Sequence, residues 1–255
     1  MSMPSSADRG RAVPARGHRR GQWVPPQHGA WAMLLVPYLA GLITVGASWV
    51  QLPLLLAWLS GYMLSYFALL AVKTHRLERV RAQVFLYGGV TLAAGVTTLA
   101  ARPELLLFGP VFAVVLGVNA VFASARRDRA LVNGLVSVLA AALVLPVVAV
   151  AAGVTPWRVT GTFLVTLLYF TGSLLFVRTS IRERGNPRML AVSAGFHAAA
   201  LVAAGLVALP YAVPFAGYLV RAVVLPRRGL GPKQTGLVET AASALLLASV
   251  AIVEG

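Results

Sequence analysis

Residues 69–79 read LLAVKTHRLER, an apolar pattern that stops abruptly in a cluster of cations. Upstream, residues 53–72 carry no charge at all. That is about the 20 residues a helix needs to cross the ~30 Å hydrocarbon core of a bilayer. The same ending returns further along the chain, where residues 174–184 read LLFVRTSIRER. At a constant offset of 105, Leu69, Leu70, Val72, Thr74, Glu78 and Arg79 match Leu174, Leu175, Val177, Thr179, Glu183 and Arg184, and Lys73 matches Arg178. A span that ends in cations, used twice, is the organising feature of this sequence.

The composition agrees. Of 255 residues, 58% are hydrophobic and 11% charged, against about 25% charged in soluble domains. The formal charge of +15 would suggest nucleic acid in a soluble protein. Here the cations sit in short loops between apolar runs, so nucleic-acid binding is set aside. Absence of cysteine excludes disulfides, thiolate metal sites and cysteine nucleophiles. Twenty arginines beside two lysines, with abundant alanine, fit a GC-rich bacterial genome.

Nine apolar segments are expected to span the membrane, at about 30–48, 53–72, 83–100, 104–123, 134–153, 159–177, 189–208, 210–225 and 237–253. They make residues 22–255 one all-α integral membrane domain. Residues 1–21 form a basic, polar, disordered cytoplasmic tail. The first run is too long for a signal-peptide core and lacks a clear cleavage site, so it is read as a retained helix. With the N-terminus inside and the C-terminus outside, 20 of the 22 basic residues fall on the cytoplasmic side, leaving Arg102 and Arg158 outside. The positive-inside rule favours that orientation, in the inner (cytoplasmic) membrane. The echo at an offset of 105 lies four helices apart on one membrane face. It implies two parallel four-helix units plus one further helix.

Two readings of the echo stand. In one, cations at helix ends anchor the protein and contact anionic lipid headgroups. In the other, each copy offers a cation, a hydroxyl and a carboxylate to a bound headgroup. Thr and Glu, four residues apart, would share a helix face. The headgroup-binding candidates are then Lys73, Thr74, Arg76 and Glu78 with Arg178, Thr179, Arg182 and Glu183, joined at the rim by Gln27 and His28. Those last two sit in VPPQHGAWAML (24–34), where Pro25 and Pro26 hold the entry to the first helix extended and Trp31 suits the interfacial belt. An interfacial cap is the simpler account of Gln27 and His28. Inside the spans, Asn119 and His197 stand out, and an interhelical hydrogen bond explains each more cheaply than a ligand does. Pro37, Pro110, Pro146 and Pro214 are expected to kink their helices or mark a cavity lining. No phosphate loop, zinc-protease motif or nucleophile elbow is present.

The stretches VPPQHGAWAMLLVPYLAG (24–41), VKTHRLER (72–79) and FVRTSIRERGNPRML (176–190) closely resemble the bacterial YwiC-like membrane proteins. That resemblance names no activity. A more distant one is to the UbiA-type prenyltransferases, carried by nine helices, functional loops after helices 2 and 6, and the corner FASARRDRALVNGLVSVLAAALVLP (122–146). It implies a hydrophobic tunnel for an isoprenoid diphosphate, held by magnesium on Asp-rich motifs. Here the two loops contain no Asp. Glu78 and Glu183 are the carboxylates left to hold a magnesium ion, which puts prenyl transfer in doubt. The expectation is a protein that binds an isoprenoid or anionic lipid headgroup at a cytoplasmic-side cavity, as a divergent or non-catalytic relative. The alternatives are a secondary transporter and a partner protein of a membrane complex.

Overall fold

The computed structural model of the protein describes residues 23–25 and 28–255. The basic tail and Gln27 fall outside the described residues, as does the side chain of His28. Ten α-helices follow, with no strand among the described residues: α1 His28–Val45, α2 Gln51–Thr74, α3 Arg81–Ala101, α4 Gly109–Ser124, α5 Leu131–Ala142, α6 Val144–Ala151, α7 Thr160–Val177, α8 Pro187–Val207, α9 Ala212–Val224 and α10 Pro232–Glu254. With their flanking turns, eight helical segments are long and apolar enough to cross a membrane: 51–74, 81–101, 103–124, 131–151, 156–182, 187–207, 209–228 and 232–254. The apolar part of α1, Ala30–Val45, is shorter. The chain is a multi-pass helical membrane protein.

Prolines explain several boundaries. Pro146 has no N–H to give the Ala142 carbonyl, and the span 131–151 breaks at Leu143 into α5 and α6. Pro37 lies inside an unbroken α1. Pro110 and Pro214 sit in the first turns of α4 and α9, where a missing donor is harmless. They start helices rather than kink them. Asn186 caps α8, its side chain accepting from the N–H groups of Arg188 (3.0 Å) and Met189 (3.3 Å).

The core has two parts that share α1 and α6. Val36 and Ala40 of α1 join Leu145 of α6, Tyr169 of α7, Phe215 of α9 and Leu246 of α10 in one cluster. Tyr38 of α1 joins Leu54 of α2 and Val144 and Val148 of α6 in the other. Gly41 makes the central crossing close, since a Cβ there would lie 3.0 Å from Val148. Spans 81–101 and 103–124 are only 11% buried, against 50% for 131–151 and 156–182. The outer pair thus turns apolar side chains to the surroundings, as lipid contact requires.

Contacts between loops fix which ones share an end of the bundle. Lys73 pairs with Asp128, Arg178 and Arg182 donate to the Arg129 carbonyl, and Arg184 donates to the Leu230 carbonyl. The loops after α2, α4, α7 and α9 are therefore neighbours. At the other end Arg102 reaches the Ala151 carbonyl and Arg158 pairs with Glu254.

The two copies of the echo do not fold alike. Helix α2 stops at Thr74, His75 turns left-handed at φ 54°, and Leu77–Arg79 form a 3-10 turn. Helix α7 instead runs on through a π turn, Arg178–Arg182. The expected shared helix face of Thr and Glu is absent from both, because each glutamate lies beyond the helix end. What survives is a hydroxyl bond at the same place: Thr74 donates to the Leu70 carbonyl at 2.7 Å, and Thr179 to that of Leu175 at 2.8 Å.

Candidate functional site: a cleft with a charged lip

An open cleft of about 870 Å³ lies between α1, α2, α4 and α5. Along α2 its lining runs from Lys73 to Ala57. At 1.5 Å per residue that is about 24 Å of depth. The deep end is apolar, with Met33 and Leu34 of α1, Trp58 of α2 and Phe112 and Val115 of α4. Trp58 packs edge-on against Phe112 (centroids 6.1 Å apart) and its indole N–H donates to the Leu34 carbonyl at 3.0 Å, so this wall is fixed. Midway stand Tyr62, Tyr66, Asn119 and Ser137. The shallow end is charged, formed by Lys73, Asp128, Arg129 and Arg182.

The lip is built across three loops. Lys73 at the end of α2 pairs with Asp128, both side chains over one-third exposed. The Asn133 amide donates to the Asp128 carbonyl at 2.9 Å and holds the 126–130 turn in place. From the other side, Arg182 donates to the Arg129 carbonyl at 3.1 Å and Arg178 does so at 3.5 Å. The echo thus converges: its two cationic ends meet on one short turn between them. The Asn133 side-chain oxygen, buried beside the lip, has no protein partner and can accept from a ligand donor.

Backbone conformation marks the same place. Among the described residues two non-glycine residues have positive φ, His75 and Arg126, both at 54°. The other left-handed turns use Gly46, Gly153, Gly185 and Gly229. Left-handed geometry is unfavourable for residues with a Cβ. Arg126 closes α4 in a reverse turn in which the Arg127 N–H returns to the Phe122 carbonyl at 2.8 Å. Strained positions held by bulky polar residues cluster at functional sites.

Not every sequence candidate joins the lip. Arg76 is exposed beyond α2 and Thr179 is buried, its hydroxyl committed within α7. Thr74 is exposed with its hydroxyl likewise committed. Glu78 is turned outward, 3.7 Å from Arg81. Glu183 is tied to Asn186 and Arg178, each at 3.1 Å. Those bonds, Asn186 first and then Arg178, hold its carboxyl below the usual carboxylate range. The two glutamates therefore do not form a magnesium site. Each is engaged by its own loop, and Asp128, the carboxylate that does reach the cleft, is held by Lys73. Among the described residues no three acidic or histidine side chains gather as metal ligands. The donor set does not fit a magnesium diphosphate centre.

The intramembrane pair also separates. Asn119 lines the cleft and receives a long bond from Ser137 of α5 at 3.5 Å. His197 makes no interhelical bond: its Nδ1 lies 2.7 Å from the Ser193 carbonyl on its own helix, and Gly172 of α7 packs on its Nε2 face. A group unforeseen in the sequence lies nearby. Arg221 of α9 and Glu239 of α10 form a buried ion pair at 2.5 Å, and Ser173 of α7 donates to the same carboxylate. A lone glutamate in a span was the available signal, since such a charge demands a partner.

The YwiC-like family model matches residues 24–149. Over 229 residues the chain is 30% identical to an uncharacterised protein of Haemophilus influenzae, covering 86% of this chain and 93% of that protein. Over 182 residues it is 31% identical to the uncharacterised protein YwiC of Bacillus subtilis, covering 68% of this chain and 73% of that one. The chain belongs to the YwiC-like family. No solved structure matches it. The family match takes in α1 through most of α6, and so every residue lining the cleft except Arg182. In this YwiC-like protein the cleft belongs to the first half, and the second half adds one cation to its lip.

Proposed function

We propose that this YwiC-like protein binds a lipid with an anionic headgroup, an isoprenoid phosphate being the form that suits the cleft, with its chain along the wall of α2. The carrying observation is the polarity of the cleft, apolar for most of its depth and cationic at one end. Lys73, Arg129 and Arg182 would take phosphate oxygens through charge-assisted bonds without a metal. Asp128 holds Lys73 until an anion competes for it. The reading includes nine spans, a UbiA-like arrangement and the basic end in the cytoplasm. The excess of cations at that end supports the orientation. The missing magnesium ligands favour a binder over a prenyltransferase.

The test is binding of a polyprenyl phosphate to the purified, delipidated protein in nanodiscs of zwitterionic lipid, with the matching polyprenol as control. Saturable binding of the phosphate, at least tenfold weaker in Lys73→Ala, is expected. Equal binding of phosphate and alcohol, or none above empty nanodiscs, ends the proposal. For orientation, single cysteines placed in the naturally cysteine-free chain at positions 127 and 155 should label from the cytoplasm and the outside, respectively. A second reading, secondary transport, is favoured by the ion pair buried in the other half of the bundle. Uptake of a solute into proteoliposomes that fails in Glu239→Gln would select it.

A further inference from the structure

Helices α7, α8, α9 and α10 enclose a polar cluster that takes no part in the cleft. Its centre is the carboxylate of Glu239. Arg221 Nη1 donates to Oε1 at 2.5 Å, and the Ser173 hydroxyl donates to Oε2. The Tyr169 hydroxyl approaches from α7, 3.2 Å from the Glu239 carbonyl and 2.9 Å from the Ser243 hydroxyl. From α9, Tyr218 donates to the Ala242 carbonyl at 2.9 Å. From α8, His197 packs against Gly172, the residue beside Ser173.

Two features distinguish this cluster from a finished structural ion pair. First, its bonding is incomplete. Arg221 has a side chain 6% exposed, yet only one of its three nitrogens meets the carboxylate, and its Nε and Nη2 have no protein partner. Buried polar groups are ordinarily paired, and structural arginine–carboxylate pairs are commonly bidentate. Second, the cation has a resting place that does not need the anion. Its guanidinium carbon lies 4.6 Å from the Phe176 ring centroid, 5.3 Å from that of Tyr218 and 6.0 Å from that of Tyr169. A desolvated guanidinium among three aromatic faces retains favourable electrostatics when the carboxylate is neutral.

We propose that Glu239 is a proton-binding carboxylate, and that the second half of the bundle holds a site which takes a proton from water and returns it. Hydronium donates H⁺ to a Glu239 oxygen, an O–H bond forms, neutral water leaves, and Arg221 keeps its charge on the aromatic rings. The groups facing Glu239 are Tyr169 and Ser173 from α7, Tyr218 and Arg221 from α9, and Ser243 on its own helix, with His197 of α8 behind Gly172. Among these Arg221 is the charged one, so its grip sets the affinity for the proton. The site does not depend on lipid occupying the cleft.

Infrared difference spectra of the full chain in nanodiscs, acid minus alkaline, test this directly with the proton as probe. A protonated-carboxyl stretch that shifts to lower frequency in D₂O is expected. It should disappear in Glu239→Gln, shift in frequency in Glu239→Asp and persist in Glu254→Gln. In Ser173→Ala the carboxylate loses a donor, so its midpoint should move up by about 0.5–1 pH unit. Absence of such a band from the unmutated protein, or its survival in Glu239→Gln, overturns the proposal. Should Glu239→Gln not fold, an unchanged midpoint in Ser173→Ala overturns it equally.

Discussion

The two copies of the echo, 69–79 and 174–184, start from nearly one sequence and finish as different structures. In the first copy the helix ends at Thr74 and the next residues lie exposed on a 3-10 turn. In the second the helix widens into a π turn that buries Thr179 and Ser180. The divergence begins where identity fails. His75, Arg76 and Leu77 of the first copy stand opposite Ser180, Ile181 and Arg182 of the second. Serine packs inside where histidine cannot, and the cation moves one position along. That single step carries Arg182 onto the Arg129 carbonyl, while Arg76 stays on the surface. π turns recur at functional sites because the extra residue re-aims those that follow. A duplicated sequence thus supplied two cationic ends, and a local change of backbone made them into two sides of one lip.

The comparison can be broken at its charges first. Arg182→Leu gives the second copy the residue of the first and removes a side of the lip. Binding of a polyprenyl phosphate should weaken at least tenfold, the ~1.5–3 kcal/mol of a lost charged hydrogen bond. Leu77→Arg, the reciprocal change, should leave affinity within twofold. Equal losses in both would mean that the copies act as independent anchors.

A smaller effect is expected from packing. Two residues before each copy, the buried Phe67 stands opposite Gly172. A Cβ on Gly172 would lie 2.8 Å from His197 Nε2. Gly172→Ala should cost about 1–2 kcal/mol by overpacking, read as a lower midpoint in detergent unfolding, with the cleft ligand still bound. Smaller again is the effect at the strained turn. His75→Gly removes the left-handed penalty at φ 54° and should stabilise by about 0.5–1 kcal/mol. If the strain serves the lip, lipid affinity falls in the same variant.

The smallest effect concerns acid. Glu183 has a carboxyl held below its unfolded value by Asn186 and Arg178. Its contribution is therefore complete above the unfolded carboxylate pKa and is lost as pH falls through the lower, folded one. Protection factors against hydrogen exchange at the start of α8 should fall in that acidic window. Glu183→Gln should make those protection factors independent of pH there.

Much of the architecture was legible because membrane burial writes itself into composition. Long uncharged runs located the helices, and loop cations showed which ends lie together. Through the echo alone Lys73, Arg178 and Arg182 were legible as cations at a common end of the bundle. The Asp128 turn was not, although an aspartate inside RRDR is the sort of residue that holds a lip cation. Its role depends on α2 and α5 meeting across the loop, which no local pattern encodes. The Arg221–Glu239 pair joins two helices across a turn and shows only as an acid isolated in a span. The shared face of Thr and Glu failed for a definite reason: spacing along a sequence means shared face only while the helix lasts, and both helices change form at the threonine.

The central place of α1 bears on how the chain is made. Its Val36 and Ala40 pack in one cluster with Leu246 of α10, a helix made long after it. Until α10 leaves the ribosome, that face of α1 has only lipid or the insertion machinery to cover it. Assembly is then a closure in which α10 completes the packing of α1. Chains lacking α10 should insert and still be recognised as unfinished by membrane proteases, even though the whole cleft is already present in them.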